Sequence, residues 1–188
     1  MRTQANLVIV GAGIAGCSAA YHLTKLGWRD ILVIDQGPLY QTGGSTSHAP
    51  GLIFQTNPSR TMCRMAQYTT RLLSTLSYEG EPCWYPVGGI EVAQTEARLH
   101  DLKRRHGLAT ACGLEAHLVT PGEVRDLIPI LDDRVIRGGY YVPSDGDTRG
   151  WQSAAAMAKL AIATGGAEFV ADTKVLDITV QNGVSLGW

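Results

Sequence analysis

Two short stretches of the 188-residue chain carry residue types that could do chemistry. The first is Gly11-Ala12-Gly13-Ile14-Ala15-Gly16, a GxGxxG pattern. In such a loop Gly11 permits a tight turn and Gly13, lacking a Cβ, lets a pyrophosphate approach bare backbone N–H groups. Gly16 lets the following helix pack closely on the preceding strand. Asp35 follows at the end of a second apolar run, where a carboxylate can accept hydrogen bonds from a ribose diol and disfavours a 2′-phosphate. Motif and acid together point to a dinucleotide site, and the motif alone does not separate FAD from NAD. The second stretch is Gly43-Gly44-Ser45-Thr46-Ser47-His48-Ala49-Pro50-Gly51. Its hydroxyls can donate to a pyrophosphate without adding charge. Taken by itself the stretch reads equally well as a surface turn.

The elements that must position these residues follow from the apolar pattern. Residues 6–10 (NLVIV) form a continuous apolar run, as in a parallel strand buried on both faces. An Ala- and Leu-rich run over 17–26 suits a helix that Gly27 ends. Residues 31–34 (ILVI) form a second buried strand that Asp35 closes. This is a β-α-β unit, right-handed by default. Residues 36–57 read as a long loop, and loops of that length in compact domains are usually functional. The spacing then predicts a helix over 59–76, with Met62, Met65, Ala66, Leu72, Leu73 and Leu76 on one face.

Beyond Pro82 the pattern becomes mixed. Strands are expected at 89–93 and 139–142, a helix capped by Thr95, and another opened by Thr120-Pro121-Gly122-Glu123 and stopped by Pro129. An Ala-rich helix is expected over 150–164, then strands at 168–171 and 175–180 and a turn at Asn182-Gly183. A returning strand would only be starting at Trp188.

Composition excludes several classes of function. Sixteen Lys and Arg face seventeen Asp and Glu, and the near-neutral balance without a basic stripe argues against nucleic acid as a partner. No apolar run is long enough to cross a bilayer, and residues 7–10 run straight into glycines with no signal-peptide layout. The four cysteines (Cys17, Cys63, Cys83, Cys112) form no CxxC pair, which suits reduced thiols and a cytoplasmic setting. His22, His100, His106 and His117 lack metal-ligand spacing, so no metal is assigned. Lys103, Arg104, Arg105 and His106 read as a solvated helix face. Trp84, Tyr85, Tyr140 and Tyr141 read as core or interface aromatics, with a cation–π pocket as the alternative.

The segments VIVGAGIAG, DQGPL, GGSTSHAPGLIFQTNPS, VGGIEVA and VPSDG go further. Over residues 4 to about 180 the chain resembles bacterial dimethylglycine oxidase and the dimethylglycine and sarcosine dehydrogenases, within the D-amino-acid-oxidase-like flavoproteins. The resemblance implies FAD and an α/β fold: a Rossmann-like FAD-binding domain over 1–82 and 146–188, with an inserted, incomplete α+β substrate domain over 83–145. It implies that His48 carries the flavin covalently, a ring nitrogen bonded to the 8α-methyl carbon. Neutral imidazole is a competent nucleophile near pH 7. Gly11, Gly13, Ile14, Ala15, Gly16, Asp35, Gln36, Ser45, Thr46, Ser47 and Leu52 would line the cofactor. Val175 would offer backbone groups to the adenine edge from a strand.

The implied reaction is oxidative demethylation of N-methylated glycines by hydride transfer to the flavin. Electrons would pass on to oxygen or an electron-transfer flavoprotein. The resulting iminium would be hydrolysed, or captured by tetrahydrofolate in a separate C-terminal domain. The chain is far shorter than the family, so the expectation is a fragment whose catalytic residues lie downstream of its end, and none is assigned here. Oxidation of another amine or D-amino acid, and a non-catalytic dinucleotide-binding role, remain open alternatives.

Overall fold

A computed structural model describes residues 4–40, 43–182 and 184–187. In chain order the elements are β1 (Leu7–Val10), α1 (Ile14–Lys25), β2 (Ile31–Ile34), α2 (Ser45–His48), β3 (Leu52–Ile53), α3 (Arg60–Leu73), β4 (Ser77–Tyr78), β5 (Glu81–Pro82) and β6 (Gly89–Ala93). Then come α4 (Glu96–Ala111), β7 (His117–Val119), α5 (Pro121–Leu127), a 3-10 turn at Asp133–Val135, β8 (Gly138–Val142), β9 (Gly146–Asp147), α6 (Gly150–Ala163), β10 (Ala167–Val170), β11 (Thr179–Gln181) and β12 (Val184–Gly187). They divide into two compact units, one of residues 1–51, 76–83 and 149–188 and one of 52–75 and 84–148. The split expected at 82 and 145 differs in that 52–75 and 146–148 fold with the middle block.

The first unit is α/β. Strand β2 lies between β1 and β10, all parallel, with Leu7 and Ala167 both in register with Ile31. All four β2 residues are buried, as a central parallel strand with a continuous apolar run requires. The outer edge of β1 carries no partner strand among the described residues. Helices α1 and α6 pack on each other. Small side chains allow the close approach, because Ala20 of α1 and Ala154, Ala155 and Ala158 of α6 are all buried.

The strand expected over 175–180 is shorter. Residues 171–178 form no ladder and β11 begins at Thr179. Asp172 takes φ +50°, and the segment instead hangs on the first β-α-β unit through Asp172 N–H to Gly37 O and Thr173 N–H to Asp35 O. The turn at Asn182 (φ +51°) joins β11 to an antiparallel β12, so the returning strand is present. Gly183 and Trp188 lie outside the described residues.

The second unit is α+β. Its antiparallel sheet runs β6-β8-β7, and α4 packs against it. Leu102, Ala109, Leu114, Tyr140 and Val142 form the core. Thr95 accepts from Arg98 N–H at the start of α4, and Thr120 and Glu123 form a reciprocal capping box on α5. Helix α3 buries Cys63, Thr70 and Leu73 but leaves Met62 and Met65 50% and 58% exposed. The helix is amphipathic as expected, but the face this unit covers is rotated away from the two methionines. Among the described residues no helix is long and apolar enough to cross a membrane.

Candidate functional site

The glycine loop sits at the carboxyl ends of the parallel strands, where open α/β sheets bind ligands. Val10, Ile34 and Val170 end in register, and Gly11 N–H donates to Ile34 O at 2.7 Å. Gly11 takes φ +102°, a left-handed conformation that favours glycine. A Cβ on Gly16 would collide with the Gly11 carbonyl oxygen and come 3.3 Å from Ile9 Cγ2. Helix α1 and the loop therefore meet only because residue 16 has no side chain. A Cβ on Gly13 would lie 2.9 Å from Thr46 Oγ1.

The start of α1 is set up for an anion. Its N-cap, Gly13, makes no side-chain capping bond, and no acidic residue lies in the first turn. Ile14 and Ala15 are exposed there. The Ile14 N–H donates to Thr46 Oγ1 at 2.9 Å. A hydroxyl that accepts this bond keeps its own proton for a further acceptor. Asp35 accepts from Ala12 N–H at 2.7 Å through Oδ2 and from Gly37 N–H at 2.9 Å through Oδ1. The carboxylate thus holds the loop itself and retains acceptor capacity for ribose hydroxyls.

Two cavities share Asp35 and Gln36. One, of about 340 Å³, is lined by Gly13, Asp35, Gln36, Ser45 and Thr46 among others. The second, of about 250 Å³, is lined by Val10, Gly11, Asp35, Gln36, Lys174 and Val175 among others. Val175 therefore borders the site from an irregular segment rather than from a strand. A pyrophosphate and an adenosine each find the right chemistry, glycine backbone and hydroxyls in the first cavity, a carboxylate and backbone in the second. The residues present fit FAD.

The 43–51 stretch is partly helical. In α2 the Gly44 carbonyl accepts from Ser47 N–H at 3.2 Å and Ser47 Oγ at 2.9 Å, and His48 Nδ1 lies 2.9 Å from it. A carbonyl only accepts, so a hydrogen bond here places a ring proton on Nδ1, and in the neutral ring the lone pair is then on Nε2. His48 is exposed. Leu52 belongs to the other unit, on β3 paired with β9, and is 58% exposed.

Cys17 is fully buried behind the loop, its thiol donating to Ala12 O at 3.1 Å. Burial, with the Asp35 charge, pushes its pKa up to about 12. It is a packed residue.

Some contacts of consequence carry no sequence signal. Thr46 reaches Ile14 across 32 positions, a contact visible only once the loop folds back. Asp145 is 2% exposed and accepts from Gln55 N–H and Nε2 at 2.9 and 3.1 Å. Burial raises its pKa, with the Gln55 bonds opposing. Tyr140 is buried, its hydroxyl 2.6 Å from Thr56 Oγ1, and Trp84 is buried too, so both serve as core aromatics. The cluster expected as a solvated face is partly engaged: Arg105 pairs with Glu91, Arg104 with Asp101, and His106 Nε2 lies 3.1 Å from Ala116 O.

Comparison with known proteins adds a family to this geometry. A family model described as FAD dependent oxidoreductase (DAO) matches residues 6–187. The chain is 34% identical over 186 residues to the mitochondrial pyruvate dehydrogenase phosphatase regulatory subunit of Mus musculus, covering 98% of this chain and 21% of that protein. It is 32% identical over 181 residues to the mitochondrial sarcosine dehydrogenase of Homo sapiens, covering 95% of this chain and 19% of that protein. Among solved structures it is similar to L-proline dehydrogenase from P. horikoshii, with a TM-score of 0.85 at 22% identity, covering 97% of this chain and 48% of that one. The chain thus spans about a fifth of these curated relatives and about half of that solved chain.

Proposed function

The chain belongs to the DAO family of FAD dependent oxidoreductases, and from that premise we propose that it forms the FAD-binding part of an enzyme that oxidatively demethylates N-methylated glycines such as dimethylglycine or sarcosine. The convergence of Gly13, Asp35, Gln36, Ser45 and Thr46 on one cavity at the start of α1 carries the FAD-binding part of the proposal, and the likeness to sarcosine dehydrogenase supports the substrate class. Gly11, Gly13 and Gly16 shape the pyrophosphate seat, and Thr46 completes it. Asp35 and Gln36 take the ribose, and Val175 borders the adenosine side. When bound, the flavin supplies the two-electron acceptor for the amine carbon.

His48 is proposed as the flavin tether. The Gly44 carbonyl holds the ring proton on Nδ1, so Nε2 is the nitrogen with a lone pair for the bond. No catalytic acid or base, acceptor site for oxygen or an electron-transfer flavoprotein, or folate site is assigned within this chain, which spans about a fifth of the two curated relatives described above.

Acid precipitation of flavin-loaded protein tests the tether. A yellow pellet is expected from the parent chain, and a colourless one from His48→Ala, with its FAD in the supernatant. Complete release from the parent chain would refute the tether.

The likeness to a regulatory subunit favours a second reading, in which the site binds FAD without turnover. Anaerobic bleaching of the bound flavin by dimethylglycine or sarcosine, measured on the full-length protein, separates the two. A panel of other secondary amines and D-amino acids then decides between N-methylglycines and the alternative substrates.

A further inference from the structure

We propose that the cleft between α4 and the Asn57–Pro58 turn binds a compact multivalent oxyanion, a pyrophosphate group or its equivalent, at a site separate from the glycine loop. The cleft has a volume of about 530 Å³ and is lined by Asn57, Pro58, Arg98, Asp101, Arg104 and Arg105, among others. All of these residues belong to the second unit.

Three guanidiniums and one carboxylate line the cleft, so its wall carries excess positive charge. The arginines are already oriented. Asp101 spans Arg98 Nη1 at 2.6 Å and Arg104 Nη2 at 3.0 Å. Glu91 spans Arg98 Nη2 at 2.5 Å and Arg105 Nη1. The result is an alternating ladder, Arg105–Glu91–Arg98–Asp101–Arg104, with one more cation than anions. Each carboxylate bridges two guanidiniums, which shows that the spacing between neighbouring arginines suits an oxyanion that engages both.

The donor count supports an additional acceptor. Each guanidinium offers five N–H donors, and the bonds to Glu91 and Asp101 use only four among the three residues. Arginine forks match phosphate oxygens in pairs, which a lysine point charge does not. Partial burial adds strength: the Arg105 and Arg98 side chains are 29% and 41% exposed. Ligand contacts there are screened less than on an open surface. Pre-orientation by Glu91 and Asp101 lowers the entropy lost on binding. A single phosphate would engage one arginine pair and leave the third cation and much of the volume unused. A pyrophosphate, free or carried by a nucleotide, has oxygens enough to engage all three.

Isothermal titration of the FAD-saturated protein with inorganic pyrophosphate tests the proposal, with ADP and malonate as parallel arms. FAD keeps the glycine loop occupied. Saturable pyrophosphate binding that weakens as NaCl is raised is expected, with malonate at least tenfold weaker. ADP binding as tightly as pyrophosphate would identify the group as part of a nucleotide, and pyrophosphate alone as a free ion. Arg98→Gln with Arg104→Gln should remove binding. Arg104→Gln alone, at an exposed position outside the Glu91 pairs, should weaken it about tenfold without changing the unfolding midpoint. Arg104→Lys should recover only part. Absence of saturable binding at millimolar pyrophosphate would overturn the proposal. So would undiminished binding in both glutamine variants, or binding seen only without FAD.

Discussion

Gly16→Ala tests the tightest contact in the cofactor seat. The added methyl would meet the Gly11 carbonyl oxygen, lie 3.1 Å from its carbonyl carbon and 3.3 Å from Ile9 Cγ2. Neither neighbour can retreat freely. The loop is pinned by Gly11 N–H to Ile34 O and by Ala12 N–H to Asp35 Oδ2, both at 2.7 Å. Ile9 sits in β1, in register with Val33. Overpacking of this kind costs about 1–3 kcal/mol, and the rigid backbone puts this case at the upper end. Moving the loop would also lose a hydrogen bond, about 1 kcal/mol. The higher helix propensity of alanine returns about the same amount. The net expectation is a destabilisation of about 3 kcal/mol, which for a chain of this size lowers Tm by about 6–12 °C. Gly107→Ala is the matched control, since a Cβ there meets nothing within 4 Å in the middle of α4. It should stabilise by up to about 1 kcal/mol. Urea unfolding of the three proteins, followed by FAD retention through gel filtration, reads both effects. Gly16→Ala should also lose most of its flavin, because the displaced loop no longer aligns its amides. An unfolding midpoint and flavin content equal to the parent would show that α1 and the loop do not meet as described.

Three other perturbations follow from the same structure. Thr46→Val keeps the shape but removes the acceptor for Ile14 N–H; it should cost about 1 kcal/mol in urea unfolding and weaken FAD binding in a fluorescence titration. Burial raises the Asp145 pKa above its ordinary 3.8, so the folded chain holds a proton the unfolded chain has released. Stability is therefore lost as pH rises from 3.8 through the folded-state value. Asp145→Asn should lack that loss, and the difference between the two proteins should grow by at most about 1.4 kcal/mol per pH unit across the window in unfolding midpoints. Iodoacetamide at pH 8 should label Cys112, which is partly exposed, well before Cys17, which is fully buried with its pKa raised to about 12. Mass spectrometry of the native protein would refute this if Cys17 were modified first.

Parts of this architecture were legible because a single local rule decides them. A continuous apolar run bounded by glycine has few alternatives to a buried parallel strand, and β1 and β2 fall within a residue of the expected bounds. Thr120, Pro121 and Glu123 encode a capping box in four residues, and it forms. Features that depend on what covers a surface were not legible. The period of α3 is readable, but not which part of its apolar face is covered: Met62 and Met65 are exposed while Cys63, Thr70 and Leu73 are buried. Residues 175–178 have the composition of a strand, yet a strand needs a partner, and no ladder forms over them; the backbone bonds just before them, from Asp172 and Thr173, go to Gly37 and Asp35. The salt ladder joins β6 to α4, and the sequence places Glu91 too far from Arg98 and Arg105 to announce it.

The glycine loop shows why motif reading succeeds with an incomplete reason. Gly13 was assigned to the close approach of a pyrophosphate. The structure gives it a requirement that holds before any ligand arrives: a side chain there would push Thr46 Oγ1 off the Ile14 N–H. Asp35 acts likewise on the other side, holding Ala12 N–H and Gly37 N–H while keeping acceptor sites for a ribose. Two side chains from distant parts of the chain thus fix the backbone of residues 12–14. A loop already fixed loses little conformational freedom when an anion binds, so more of the interaction energy appears as affinity. The same two side chains, a carboxylate and a hydroxyl, are neutral or negative, so the positive end of α1 remains the main attraction for the phosphates.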